Sequence, residues 1–258
     1  MLAPGARRLS PAAGAGVQVT LTGQVHLLDG SMNPAFVKLL TGRRLVNELV
    51  CNELARLLGF RVPAGLLVKV LRADYEQYFT GQPDTVTFYY AFGTMSIKGQ
   101  PLTQRFNLKD FAVARWFFAS QKSWQPIAAF DCWIANRDRH ASNIMVDEQL
   151  NTWLIDHDLA LCGDQPFEAL DFAAESVNRV VQEYATSITP ALREEALKEA
   201  QSVERLAGAV DVVGAIQDSA ANFHCTAKES SALAAYLEKR RTQVSLLMSK
   251  TLGIPLLV

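Results

Sequence analysis

The stretch FDCWIANRDRHASNIMVD, residues 130–147, constrains the fold more than any other part of the chain. Six polar side chains, Asn136, Arg137, Asp138, Arg139, His140 and Asn143, fall within eight positions, and the chain then returns at once to Ile144-Met145-Val146. A packed interior does not accept such a knot without partners. The fold must therefore present it as a loop between two buried elements, where scaffolds commonly carry chemistry. With 258 residues, 49% of them hydrophobic and 20% charged, the chain has material for one large domain or two lobes around that loop.

Upstream of the loop, VQVTLTGQVHLL from Val17 alternates apolar with polar residues, as half-buried strands do. The turn-forming DGSMNP, residues 29–34, and the apolar AFVKLL follow, so the pattern predicts strand, turn and strand, with Lys38 pointing off the second strand. Helical spacing from Leu45 to Leu58 ends at Gly59, with Pro63 beyond. AGLLVKVL and TVTFYYAF read as further strands. After about residue 96 the pattern turns helical, in LKDFAVARWFFASQ, in WQPIAAFDCWIAN and over 189–207 and 227–250, with WLID as a short strand. The expected organisation is α+β: a flexible leader at 1–16, an N-terminal lobe of sheet plus one helix at 17–95, and a helical C-terminal lobe at 96–258.

Several function classes are disfavoured. A formal net charge of −1 gives no electrostatic case for direct nucleic-acid or membrane binding. Cys51, Cys132, Cys162 and Cys225 lie far apart, without a CxxC pair or zinc spacing, and read as buried thiols of a cytoplasmic protein. No run approaches the ~20 apolar residues of a membrane span. Trp116, Trp124, Trp133 and Trp153 sit in apolar segments and read as core.

The chemistry is concentrated in four places. Asp138 and Asn143 share the loop, and a short antiparallel return from NIMVD brings Asp156 of WLIDHD near Asn143. A carboxylate beside an amide oxygen suits Mg2+, and Asp138 remains free to act on a hydroxyl. Lys38, from the small lobe, supplies a cation for phosphates. Phosphoryl transfer asks for a lysine on the phosphates, metal ions bridging them and an aspartate for the nucleophile, and lysine, helix with glutamate, Asp-x4-Asn, then aspartate is the sequence order of a protein kinase. A metal-hydrolase cluster of Asp156, His157, Asp158 and His140 fits less well, because neighbours in DHD should alternate across a strand.

FVKLLTGRRLVNELVCNELARLLGFRVP and DCWIANRDRHASNIMVD…WLIDHDLAL resemble the HipA-like kinases, relatives of protein kinases and phosphoinositide kinases; the resemblance covers roughly residues 20–165. It implies a two-lobed protein-kinase-like fold and a serine/threonine kinase using ATP and Mg2+ on a protein substrate. By the same resemblance Asp138 would be the base, His140 would brace the loop, and Asn143 and Asp156 would hold the metal. Lys38 would contact the phosphates with Glu48 as its partner. LLDGSMNP, with Ser31 and Asn33, would replace the glycine-rich loop, Ser31 falling near a phosphorylatable serine of the family. YYAFG would be the hinge, with Tyr90 and Phe92 near adenine. A helix-turn-helix antitoxin-type partner is implied only by this likeness.

Helical geometry at 100° per residue groups Glu53 with Val46, Leu49, Val50 and Leu57 and leaves Glu48 off that face, whereas the family pattern NE matches Asn47-Glu48. Either glutamate could pair with Lys38, and the family pattern favours Glu48. Two departures stand out: His157 follows Asp156 where the family of protein kinases has an aromatic, and DGSMNP has one glycine. The alternatives are a small-molecule or phosphoinositide-type kinase, suggested by DRHxxN, and a catalytically dead nucleotide-binding module acting through a partner.

Overall fold

The computed structural model describes residues 2–3, 5–12, 19–79, 85–106, 124–174, 178–184 and 188–254. The helix expected over residues 108–121, with Trp116, lies outside them. The first lobe is built on a curled sheet of β1 (Leu2–Ala3), β2 (Gly5–Pro11), β3 (Thr20–His26), β4 (Met32–Lys38), β5 (Gly65–Leu71) and β6 (Phe88–Met95). Their spatial order is β1-β5-β6-β4-β3-β2, antiparallel except for β1 beside β5.

The expectation of a leader over 1–16 is corrected by β2. This strand pairs with β3 from Gly5 opposite His26 to Pro11 opposite Leu21, and Leu9 packs on the core beneath. Main-chain pairing needs no apolar side chains, so a segment rich in Ala, Pro and Gly can cover an edge that β3 would otherwise leave open.

Alternation along the strands sorts side chains to two faces. Leu21, Val25, Ala35, Val37, Leu66, Val68, Val70 and Ala91 line one face under the short helix α2 (Arg72–Tyr75), whose Tyr75 stacks on Tyr89. The other face carries Leu67 and Phe92 and belongs to the main core, shared with helix α1 (Gly42–Leu57). Gly59 adopts φ +81, its N–H bonds Arg56 O at 3.0 Å, and Phe60 N–H bonds Ala55 O at 3.0 Å. This is a Schellman ending, which a left-handed glycine permits without a side-chain clash. Phe60 then turns into the core, where it packs against Phe130.

Residues 96–98 lead from β6 to β7 (Gly99–Pro101), the first strand of a three-stranded sheet with β8 (Ile144–Asp147) and β9 (Thr152–Leu154). Among the described residues the second lobe's α-helices are α3 (Leu102–Arg105), α4 (Trp124–Trp133), α5 (Arg179–Tyr184), α6 (Pro190–Gly208), α7 (Val212–Asp218), α8 (Ala227–Arg241) and α9 (Val244–Leu252). Helix α6, capped by Thr189, lies against α4 and α9. The helix expected across 227–250 breaks at Thr242–Gln243, which lets Val244, Leu247 and Met248 enter the core beside α6.

At the centre, Trp133 is fully buried and donates Nε1 to Leu237 O at 3.0 Å. Arg240, also fully buried, places Nε 2.9 Å from both Cys132 O and Trp133 O, satisfying carbonyls at the end of α4. Trp124 is buried and Trp153 half-buried, the latter bonding Asp147. The four cysteines are free thiols, Cys225 half-buried and the others buried. Among the described residues no helix is long and apolar enough to cross a membrane.

Candidate active site

Lys38 is the last residue of β4 and its side chain is mostly buried. Its Nζ donates to Glu48 Oε1 at 2.5 Å and to Asp156 Oδ1 at 2.7 Å, joining groups that are 10 and 118 residues away in sequence. Glu48 is fully buried, and its other oxygen, Oε2, accepts the His157 backbone N–H at 3.0 Å. One carboxylate thus ties the lysine strand to the residue beside Asp156.

Burial works against charge on Lys38, but the carboxylates of Glu48 and Asp156 outweigh it and hold the amine above the ordinary lysine range. Burial likewise opposes charge on Glu48, and the Lys38 ammonium with the His157 N–H overrides it, bringing that carboxyl down to about 2. Both groups are charged at neutral pH, as a buried pair must be to offset its desolvation.

Glu53, which shares the apolar stripe on a helical wheel, instead pairs with Arg56 on its own helix at 2.5 Å. The wheel misleads because α1 is enclosed on more than one side. Leu45 through Asn52 are all buried, between β5 and β6 on one side and α7 with the turn Ala221–His224 on another. A polar edge of such a helix is interior too, and Glu48 and Asn47 occupy it. Asn47 Nδ2 lies 2.8 Å from Asp158 O, 2.9 Å from Ala160 O and 3.1 Å from Gly163 O. Arg43 reaches Leu161 O and Gln165 O and lies over the Phe167 ring, while Arg44 pairs with Asp164. Asn47 was matched to the family pattern without a role, and Arg43 and Arg44 were not singled out from the sequence, although all three stand in its most recognisable block.

β9 ends at Leu154, and Asp156 has φ 64, so the expected alternation of DHD across a strand is corrected. The left-handed residue turns the Asp156 carboxylate to Lys38. His157 is fully buried, its ring 6.2 Å from that of Phe130, and burial holds its pKa below the ordinary histidine value. A neutral imidazole therefore fills the place of an aromatic. Burial, reinforced by the Asp156 charge, pushes the Asp158 carboxyl up to about 7.

The polar knot is braced from inside. Arg139 is fully buried against Asp131 and donates Nη1 to Ile155 O at 2.5 Å and to Asn143 O at 3.2 Å. Asn136 Oδ1 accepts the Asp138 backbone N–H at 3.0 Å, and Asn143 Nδ2 donates to Asp138 O at 2.8 Å. Ile155 N–H bonds Asn143 O at 3.2 Å, which with the β8–β9 pairing sets Asn143 beside the segment carrying Asp156.

These bonds fix the loop and leave the Asp138 carboxylate partly exposed. Its Oδ1 receives Arg179 Nη1 at 2.5 Å, and its Oδ2 lies 3.7 Å from His140 Nε2. His140 Nδ1 accepts the Ser142 N–H at 3.2 Å, which leaves the proton on Nε2, facing Asp138.

The donor types are those magnesium takes. Asn143 Nδ2 is used within the loop, which leaves its Oδ1 free to accept, and the Asp156 carboxylate, bound to Lys38 through Oδ1, also shares a hydrogen bond with the Asp158 carboxyl, which a cation would have to displace to use both oxygens. Among the described residues no three His, Cys, Asp or Glu side chains converge on one point as a metal cluster.

The remaining predicted residues lie elsewhere. Ser31 is at the β3–β4 turn and Asn33 is the second residue of β4; Asp29 Oδ1 accepts Ser31 N–H at 2.9 Å and Ser31 Oγ–H at 2.7 Å, and Asn33 Nδ2 donates to Ser31 Oγ at 3.2 Å. The hinge expected at YYAFG is corrected: Tyr89 to Gly93 lie inside β6, and the connection between lobes is 96–98. Phe92, opposite Lys38 in the sheet, is buried in the core. Tyr90 stands two residues farther from that connection, edge-on to His224 at 5.3 Å. The strand itself was expected from TVTFYYAF; the hinge came from the family resemblance, and a strand packed on both faces leaves no room for it.

The HipA-like kinase family model matches residues 34–230. A comparison with curated proteins gives no match. Among solved structures, the crystal structure of the Helicobacter pylori proinflammatory kinase CtkA superposes with a TM-score of 0.52 at 11% identity, covering 95% of this chain and 96% of that one. The two lobes described above thus have a kinase-like arrangement.

Proposed function

The chain belongs to the HipA-like kinase family, and on that premise we propose that it transfers the γ-phosphoryl group of ATP to a serine or threonine hydroxyl of a protein. The observation that carries this reading is the meeting of Lys38 with Glu48 and Asp156, at 2.5 and 2.7 Å, from three separate elements. Buried charge of this kind is costly as mere scaffolding. It is useful where a lysine must be kept ionised and aimed at phosphate oxygens.

Lys38 would hold the nucleotide phosphates from the first lobe. The base would lie toward the connection 96–98, beside Phe36 and Thr94, which are paired across β4 and β6 on the same face as Lys38. Asn143 and Asp156 would hold Mg2+, which when bound neutralises phosphate charge. Asp138 would orient the acceptor hydroxyl and take its proton. The acceptor oxygen bonds the γ-phosphorus, the bond from that phosphorus to the bridging oxygen breaks, and ADP leaves.

The test is incubation of the purified protein with γ-labelled ATP, Mg2+ and a cell lysate. Label on serine or threonine of a protein, lost with Asp138→Asn, is the expected result. Label in a lipid or small-molecule fraction would replace the acceptor class, and neither transfer nor ATP consumption would refute the kinase reading.

A further inference from the structure

The side chain that touches the Asp138 carboxylate most closely comes from outside every motif read in the sequence. Arg179 opens α5, and its Nη1 lies 2.5 Å from Asp138 Oδ1 across 41 residues. Exposed ion pairs often contribute little, so the contact alone would mean little. Its mounting is what sets it apart. The preceding residue, Asn178, is buried and donates Nδ2 to Ala128 O of α4 at 2.8 Å, while its Oδ1 accepts the Val181 N–H at 3.2 Å. Val180 and Val181 are buried in the main core.

Helix α4 in turn feeds the loop, and its Asp131 is the anchor for Arg139. Arg179 and Asp138 are thus fixed to the same helix by two independent buried attachments. The Arg179 side chain itself remains 43% exposed. Among the described residues its one hydrogen bond is the one from Nη1.

We propose that Arg179 is the positioning residue for Asp138. It occupies Oδ1, fixes the carboxylate rotamer and leaves Oδ2 for the acceptor hydroxyl. His140, 3.7 Å from Oδ2, is too far to occupy that oxygen with a full hydrogen bond. The inference rests on the kinase reading. Arg179 acts on the acceptor side only, because ATP is gripped by Lys38 and the Asn143–Asp156 pair.

The test compares the parent with Arg179→Gln and Arg179→Lys. Misorientation of a reacting group by about 1 Å can cost ~100-fold, so Arg179→Gln is expected to lower kcat by roughly 10–100-fold with KM for ATP within about twofold. Arg179→Lys should recover part of the loss, and added guanidinium at millimolar concentration should raise the rate of Arg179→Gln but not of the parent. Thermal unfolding and ATP titration of each variant exclude misfolding.

An unchanged kcat in Arg179→Gln beside an active parent would overturn this inference alone, as would an increased kcat, which would make the contact an inhibitory latch. A loss expressed in KM for ATP would place Arg179 on the nucleotide and also overturn it. A parent that neither binds ATP nor transfers phosphate would remove the kinase reading and this inference with it.

Discussion

Replacing Glu48 by Gln tests the buried lysine pair most directly, because the amide keeps the shape and can still accept the His157 N–H while losing the charge. In the fold the Glu48 carboxyl sits at about 2 against an ordinary 4.5, because the Lys38 ammonium and the His157 N–H together override burial. Each tenfold change in a proton equilibrium is worth about 1.4 kcal/mol, so the difference corresponds to about 3 kcal/mol of stability at neutral pH. That agrees with the ~3–5 kcal/mol cost of breaking buried pairs, taken at its lower end because Lys38 keeps Asp156.

A depressed carboxyl pKa contributes fully above the unfolded value and is lost as pH falls through the folded one. The gap between parent and Glu48→Gln should therefore be full at pH 7 and shrink between pH 4.5 and pH 2. Urea unfolding followed by tryptophan fluorescence at both ends of that range measures it. Equal stability at pH 7, or a gap that does not change with pH, would show that Glu48 does not carry its charge in the fold.

Asp138→Asn should slow phosphoryl transfer by roughly 10²–10⁴-fold, the usual worth of a positioned base, with ATP affinity by calorimetry unchanged; equal turnover removes Asp138 from the mechanism. Asp156→Asn should weaken Mg-ATP binding roughly tenfold or more, about 1.4 kcal/mol, and affinity equal to the parent would exclude it as a ligand. Gly59→Ala should cost only about 1 kcal/mol in urea unfolding, because its φ of +81 strains alanine while an added Cβ meets no atom within 4 Å. A loss well above 3 kcal/mol would mean a clash that the packing does not contain.

The first lobe was readable where local rules decide the outcome. Alternation placed β3 and β4, turn residues placed the hairpin, and Gly59 ended α1, since each is fixed by a few neighbouring side chains. β2 was not readable, because what holds Gly5–Pro11 is the open edge of β3, whose partner residues lie ten to twenty-one positions away, and no local composition announces it. The two faces of β6 raised a related difficulty. TVTFYYAF read as a strand, but the resemblance set a hinge inside it at YYAFG, where Tyr89 and Ala91 serve one core and Phe92 the other.

In the site, legibility followed how the chemistry is spread along the chain. Asp138, Asn143 and the arginine that braces them lie within six residues, and their mutual bonds are largely local. The choice between Glu48 and Glu53 needed the surroundings of α1, because a helical wheel assumes one wet side and this helix has two covered ones. Arg179 needed more still: its nearest neighbours in sequence point into the core, so the only local sign was a lone arginine between a buried asparagine and two valines. An arginine fixed at the surface by buried neighbours on both sides costs conformational entropy that an ordinary solvated one does not. Such a pattern in a helix following a catalytic loop is therefore a reason to look for the carboxylate it faces.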